Sequence, residues 1–405
     1  MTDTAPDRPA PDRRRPVPLD GRAARVAVVQ LFAFNGLVMG AYAGGLATFK
    51  DQLRLSSWQM SVLFVFIGAA AIAAMQVGGR LSDRLGARRV ALAAVVPEVV
   101  AAGGLALVAA HGSYGWLLAA GVALGLGNGG LDVSMNALGV QIERARGKPV
   151  MSSFHGAWSL GNLAGAAAIA AVARATGWSG GRTITAVCLG CAVVGLGLWL
   201  SARRITPETA VVAQRTASGQ KVKLPAVAYV FGLMAIGFGV GEGTGMDWSA
   251  IQVAAVADVA PAIASLGVVA LTAAMVLIRL TGDRIVARLG RRTVVRLGSA
   301  TALAGYLVAA LSQPLPLLLL GWGLVGLGIG VIAPQVYSAA GHAAGGRGLA
   351  VVVTFGYATF LIAPAAMGVL VTAWGVQRAM FVPALLLAGL VLAAGLLPRR
   401  DAGAP

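Results

Sequence analysis

The sequence predicts an all-α membrane protein with twelve transmembrane helices in two pseudo-symmetric six-helix halves. Three observations predict this fold class: an apolar composition, twelve long apolar runs, and a repeat between the two halves of the chain. Of the 405 residues, 58% are hydrophobic and 12% are charged, whereas soluble domains have about 25% charged residues. The 56 glycines are typical of helices that pack closely in a membrane. This composition excludes a disordered chain, a coiled coil and a soluble DNA-binding protein.

Twelve apolar runs are each long enough to cross a bilayer, which takes about 20 helical residues. The longest polar interruption, residues 203–223, leaves six runs on each side. The runs lie at 24–49, 58–79, 90–110, 115–142, 150–174, 182–202, 224–250, 259–280, 293–311, 315–341, 349–373 and 379–397. The predicted organisation is a disordered cytosolic tail (1–20), a first bundle (21–202), a cytosolic linker (203–223), a second bundle (224–398) and a cytosolic tail (399–405).

The basic residues indicate the orientation of the chain. The net charge of +17 lies in short clusters between the apolar runs, which favours a membrane protein over a nucleic-acid partner. With a cytosolic N-terminus, 27 of the 32 Lys and Arg residues fall on the inner side. The positive-inside rule therefore predicts cytosolic termini and a multi-pass protein of a bacterial cytoplasmic membrane.

The two halves of the chain resemble each other at a nearly constant offset. LGLGNG (124–129) in the fourth run matches VGLGIG (325–330) in the tenth, at an offset of 201. Phe154 and Phe355 align at the same offset, and RLGARR (84–89) recurs as RLGRR (288–292). A duplicated six-helix half is typical of transporters whose binding site lies near the bilayer midplane, between the halves.

GGRLSDRLGARR (78–89) resembles the signature loop of the major facilitator superfamily. The resemblance implies a cytosolic latch that stabilises the outward-facing state. A second copy, GDRIVARLGRR (282–292), departs from the pattern, because Asp283 lies seven residues before its glycine whereas Asp83 lies three before Gly86. Positive-inside anchoring is the alternative role for both loops. The predicted latch residues are Gly79, Asp83, Arg84, Gly86, Arg88, Arg89, Asp283 and Arg284.

Two further strings resemble a branch of bacterial inner-membrane permeases that is distantly similar to sugar permeases. They are residues 127–144 with 151–161, and residues 241–250. The resemblance implies a monomer that moves a small-molecule substrate, and no cofactor. The three histidines lack metal-ligand spacing, and no nucleotide-binding or hydrolase motif is present, so we expect neither a metal site nor an enzyme.

Three polar residues of the fourth run, Asn128, Asp132 and Asn136, are spaced by four and share one helical face. The resemblance implies that the first, fourth, seventh and tenth runs line the cavity. Because desolvation favours a protonated carboxylate, Asp132 is the first candidate for proton coupling. The alternative is a structural carboxylate. His155 is a possible relay partner of Asp132 or a structural histidine, and Glu242, in a glycine-interrupted run, is a second proton site or a hydrogen-bond acceptor.

These residues predict a secondary active transporter of a small polar or amphipathic solute, driven by protons through alternating access. The alternative is a proton-driven exporter of a drug or natural product; a receptor or scaffold is disfavoured by the short tails. Glu98 has no predicted role beyond an interhelical hydrogen bond. The predicted substrate-binding residues are Asn35, Met39, Tyr42, Asn128, Asn136, Trp158, Glu242, Gln335, Tyr337 and Ser338.

Overall fold

The computed structural model describes residues 21–55, 57–203, 226–259 and 266–397. The predicted tails and almost all of the predicted linker lie outside these residues. The described chain is helical and contains no strand. Its α-helices are α1 (Arg22–Gln52), α2 (Ser57–Leu85), α3 (Ala87–His111), α4 (Tyr114–Arg146), α5 (Met151–Thr176), α6 (Gly180–Ala202), α7 (Ala226–Ala257), α8 (Leu266–Leu289), α9 (Arg291–Leu311), α10 (Leu315–Ile329), α11 (Ile332–Trp374), α12 (Val376–Ala379) and α13 (Phe381–Ala393), followed by a 3₁₀ turn at Ala394–Leu396.

Each of the twelve predicted runs overlaps a helix. By length and composition, ten stretches of the described chain can cross a membrane, and one of them, Leu315–Thr359, covers the tenth predicted run and part of the eleventh. Helix α5, which is not among the ten, coincides with the fifth run. The outward faces carry large apolar side chains, including Leu385 and Leu392 at 73% and 79% exposure. Such a surface suits a lipid solvent.

The eighth run continues past its predicted end. The apolar window predicts a span at 259–280; residues 260–265 lie outside the described residues, and α8 runs from Leu266 to Leu289. The helix continues because polar residues in its second half find partners inside the protein. Arg279, which the charge count assigns to the cytosolic side, is only 4% exposed within α8.

Close helix contacts in the first half depend on glycine. A methyl group on Gly36 or Gly40 of α1 would overlap the backbone of Trp158 or Asn162 in α5. Small residues four apart are a known device for bringing membrane helices together. This contact sets the polar face of α1 against α5.

Helices α1–α6 pack mainly against one another, and so do α7–α13. Three pairs carry most of the packing between these groups: α2 with α11, α5 with α8, and α4 with α11. Helix α11 is divided at Gly345, whose φ of 62° is not helical. The domain boundaries at 202, 224 and 398 stay predictions.

Candidate functional site

A buried hydrogen-bonded cluster joins four helices of the first half. The Asn35 amide donates to Glu98 Oε1 at 2.5 Å and to Asn128 Oδ1 at 3.0 Å. Trp158 Nε1 donates to Asn35 Oδ1 at 2.7 Å. Glu98 is fully buried, and this contact is the interhelical hydrogen bond anticipated for it. The amides of Asn35 and Asn128 and the indole of Trp158, all predicted binding residues, are therefore neighbours.

The cluster continues along α4 to Asp132. Asn128 Nδ2 donates to the hydroxyl of Tyr357, a residue of α11, at 2.9 Å, and Asp132 lies one turn further along α4. Asn136 Nδ2 donates to Asp132 Oδ1 at 2.9 Å, and its Oδ1 lies 3.1 Å from His155 Nε2. The predicted relay from His155 to Asp132 is thus bridged by an amide, with no direct contact in this arrangement.

Aromatic rings flank the His155 side of this cluster. The ring centroids of Phe32 and His155 are 5.3 Å apart, and those of His155 and Tyr337 are 5.8 Å apart. Phe238 meets Tyr337 edge-on at 5.9 Å. Helices α1, α5, α7 and α11 therefore supply apolar surface beside the hydrogen-bonding groups, a combination found in small-molecule sites.

Glu242 is paired with an arginine that sequence reasoning did not select. Arg279 of α8 places its guanidinium 3.1 Å from the Glu242 carboxylate. It also donates to Ser159 Oγ at 2.7 Å and to the Gly330 carbonyl at 3.3 Å. The pair is shielded from solvent, and the arginine links α7 and α8 to α5 of the first half.

A second polar network lies toward the predicted cytosolic ends. Glu143 of α4 and Arg291 of α9 form an ion pair at 2.6 Å, and both side chains are 4% exposed. Ser338 donates to Glu143. Gln335 accepts from Arg291 at 3.3 Å and donates to Ser152 at 3.0 Å. Gln335 and Ser338, predicted for substrate binding, therefore lie in this network and do not contact Asn128.

Two carboxylates accept from helix N-termini. Asp83 accepts from the backbone amides of Gly346 and Arg347 at 2.7 and 3.0 Å, just after the break in α11. Asp283 accepts from Ser152 and Ser153 at 2.8 and 3.0 Å, at the start of α5. Despite its different spacing, the second loop makes the same kind of contact. Free amides at helix starts favour such negative charges.

The other predicted residues are more scattered. Met39 is half-buried, and Tyr42 is buried with a hydroxyl that has no hydrogen-bond partner among the described residues.

The remaining predicted latch residues lie in or beside the two cytosolic loops. Gly79 lies against α11, and Gly86, at φ 88°, directly precedes α3. Arg88 donates to the Arg203 carbonyl. Arg84, Arg89 and Arg284 are exposed. Within the described ranges, no group of three or more metal-ligating side chains could hold an ion.

Sequence reasoning missed Tyr357, Arg279, Glu143 and Arg291. An arginine inside the apolar stretch VLIRLTG was a visible signal for Arg279. Glu143 and Arg291 lie in loop-proximal basic clusters and look like ordinary interfacial charges. No sequence pattern marks Tyr357 as a site residue, because tyrosines are common in apolar runs and its partner Asn128 is far away in the sequence.

The fold, the duplicated loops and the polar interior define a membrane transport protein. The profile of the Major Facilitator Superfamily matches residues 28–244. The chain is 32% identical over 359 residues to an uncharacterized transporter of Sinorhizobium fredii, y4wD, covering 87% of this chain and 92% of that protein. The chain belongs to the Major Facilitator Superfamily, which confirms the resemblance and the expectation of a transporter that is not an enzyme.

Solved structures share the fold at low identity. A structure of FucP, a transporter of this superfamily, in the outward conformation has a TM-score of 0.77 and 13% identity, covering 92% of this chain and 97% of its own. The proton:xylose symporter XylE has a TM-score of 0.69 and 14% identity, covering 91% and 94%. These matches confirm an all-α membrane transporter fold.

Proposed function

We propose that the protein is a proton-coupled secondary active transporter that carries a small polar or amphipathic solute across the bacterial cytoplasmic membrane by alternating access. Asp132 binds the coupling proton, and both termini face the cytosol. The observation that carries this proposal is the position of Asp132. Its carboxylate is buried on α4, the helix that packs on α11 of the other half, and a neutral amide, that of Asn136, donates to it.

The absence of a cation at Asp132 supports a proton-binding role. Among the described side chains, no Lys, Arg or His forms an ion pair with this carboxylate, and the Asn136 amide donates to it at 2.9 Å. A buried charge without a counter-ion is costly, so uptake of a proton from an outside pathway is favoured. Glu242 is neutralised by Arg279 and takes a supporting role, as an acceptor for the solute or as a second proton site.

The solute binds between the rings and amides of this region. Asn35, Asn128 and Trp158 offer donors and acceptors, and Tyr337 with Phe238 offers apolar surface. Such a lining suits a compound that bears hydroxyl or amine groups on a small apolar frame. One protein of the same fold acts on this class of compound, because XylE is a proton:xylose symporter.

We infer that this arrangement is closed on the predicted cytosolic side. Asp83, Asp283 and Glu143 each contact a helix of the opposite half of the chain. We infer that Asp83 and Asp283 form the cytosolic latch by capping α11 and α5. Helix α2 of the latch also packs on α11, where Gln76 donates to Thr354 at 2.6 Å. All of these contacts must separate when the carrier opens inward.

The test begins with thermal-shift screening of purified protein against sugars, polyols, amino acids and antibiotics, since a bound solute raises the melting temperature. The best solute is then assayed in proteoliposomes with an imposed pH gradient. We expect Asp132→Asn to abolish gradient-driven flux and to preserve solute exchange. Asp247→Asn, which alters an exposed carboxylate of α7, is the matched control and should transport normally.

Two results bear on the alternatives. Unchanged gradient-driven flux in Asp132→Asn would refute the coupling assignment. The direction of flux relative to the proton gradient distinguishes uptake from export, because a symporter moves solute with protons and an exporter moves it against them.

A further inference from the structure

A glutamic acid of α3 is buried beside the amides of the candidate solute site. Glu98 is 0% exposed, and a methyl group added to Gly127 of α4 would lie 2.4 Å from its Cγ atom. Its Oε1 atom accepts from the Asn35 amide at 2.5 Å, whereas Oε2 has no hydrogen-bond partner among the described residues. The carboxyl group is therefore enclosed by protein, with one of its two oxygens unpaired.

The surroundings of Glu98 do not favour a negative charge. In the part of the chain that the structure describes, no Lys, Arg or His forms an ion pair with it. The titratable groups that face it are Asp132 on α4, Cys191 on α6 and Tyr357 on α11, and none of these residue types is a cation. An ionised carboxylate buried without a counter-ion is costly, so such a group takes up a proton. A neutral acid still accepts from Asn35 through its carbonyl oxygen.

The indole of Trp158 fixes the direction of the two neighbouring amides. An indole N–H group can only donate, so the Asn35 atom that it contacts at 2.7 Å is the oxygen. The Asn35 nitrogen then faces Glu98 Oε1 and the Asn128 oxygen, at 2.5 and 3.0 Å, and the Asn128 nitrogen donates to the Tyr357 hydroxyl. Without an acceptor at position 98, one Asn35 hydrogen would be buried without a partner, which favours another orientation of the amide.

We propose that Glu98 is a neutral carboxylic acid and a positioning residue, whose Oε1 atom sets the direction in which the Asn35 and Asn128 amides face at the solute site. The part of these amides in solute binding rests on the proposed function, whereas the proton on Glu98 and the direction of the amides do not depend on it. Because Glu98 is enclosed within the first half, it keeps this proton and takes no part in the coupling assigned to Asp132.

The protonation of Glu98 can be measured in the unmodified protein without a solute. The chain has four glutamates, Glu98, Glu143, Glu208 and Glu242, so glutamate labelled with carbon-13 at Cδ gives four carboxyl signals in nuclear magnetic resonance spectra. Single substitutions by Gln assign them. At neutral pH we expect the chemical shift of an acid for Glu98, and that of a carboxylate for Glu143 and Glu242, which are paired with arginines. A carboxylate shift for Glu98 would overturn the proposal.

The direction of the amides can be measured from the indole N–H signal of Trp158, which reports its bond to Asn35. Glu98→Gln keeps an acceptor oxygen and should leave this signal in place. Glu98→Met has a similar length and no oxygen, so the signal should move or broaden as the Asn35 amide loses its fixed direction. Trp158→Phe assigns the signal by removing it.

Trp199 supplies the matched control within the same spectrum. Its indole N–H group donates at 3.0 Å to the carbonyl of Leu92, which belongs to α3 as Glu98 does. A substitution that distorts α3 would move the Trp199 signal as well, whereas the loss of the acceptor alone should leave it unchanged. Glu98→Leu repeats the comparison if Glu98→Met does not fold.

Three results of this comparison would each overturn the positioning role. An unmoved Trp158 signal in Glu98→Met would show that Glu98 positions nothing. Equal movement in Glu98→Gln and Glu98→Met would show that an acceptor oxygen is not what matters, and joint movement of the Trp158 and Trp199 signals would show a structural role. Gradient-driven flux in Asp132→Asn decides the coupling assignment by itself, and its outcome leaves the assignment of Glu98 unchanged.

Discussion

Helix α4 carries two buried carboxylates that have opposite surroundings. Glu143 is paired with Arg291 at 2.6 Å and accepts further hydrogen bonds from Ser338 and the Val150 amide. Asp132, three turns earlier, accepts from the Asn136 amide, and the described part of the chain supplies it no cation. The same helix therefore carries one carboxylate, Glu143, that its cation holds ionised, and another, Asp132, whose surroundings allow its charge to change.

The difference teaches how similar side chains serve different purposes in a low-dielectric interior. A carboxylate beside a guanidinium is stabilised as an ion, and its protonation would leave the arginine uncompensated. A carboxylate among neutral donors loses less when it gains a proton. We therefore regard Glu143 as part of the cytosolic closure and Asp132 as the site of coupling.

The largest loss of stability should come from the ion pair. Arg291→Ala leaves Glu143 as an unpaired buried charge, which costs about 3–5 kcal/mol. The free energy of unfolding can be measured by titration with sodium dodecyl sulfate, followed by circular dichroism. Combining this change with Glu143→Gln should recover part of the loss. A single variant as stable as the parent would show that Glu143 does not depend on its cation.

An intermediate loss should come from a carboxylate that caps a helix. Asp83→Ala removes the acceptor for Gly346 and Arg347, which costs about 1 kcal/mol in the same titration. Asp83→Asn is the matched control, because asparagine caps helices about as well as aspartate. If both changes cost the same, the charge and not the cap is what matters at this position.

The smallest loss of stability should come from Asp132, although its effect on transport is the largest. Asparagine can still accept from Asn136, so Asp132→Asn should change the free energy of unfolding by less than about 1 kcal/mol. A loss comparable to that of Arg291→Ala in the same titration would instead assign Asp132 a structural role and remove the contrast with Glu143.

The sequence predicted the candidate site only where the positions of its residues follow from their spacing along a single helix. The spacing of Asn128, Asp132 and Asn136 placed them on one face of α4, and the structure buries all three, with Asn136 donating to Asp132 and Asn128 donating to Tyr357. The contact of His155 with Asn136 was approximately anticipated from antiparallel neighbours. Gln335 and Ser338 were predicted beside the solute because their run lines the cavity; the structure pairs them with Arg291 and Glu143, and their binding role stays a prediction.

Sequence alone determined the class of this protein: helices long and apolar enough to span a membrane, and membership of a transporter superfamily that the comparisons confirm. Hydropathy and short motifs depend only on residues that are close together in the sequence, so they can be read without the tertiary structure. Tertiary structure alone decided which charges are paired. The partners Glu143 and Arg291 are 148 residues apart, and Asn128 and Tyr357 are 229 residues apart. Only the packing of α4 against the second half brings them together, and burial there makes each pairing matter.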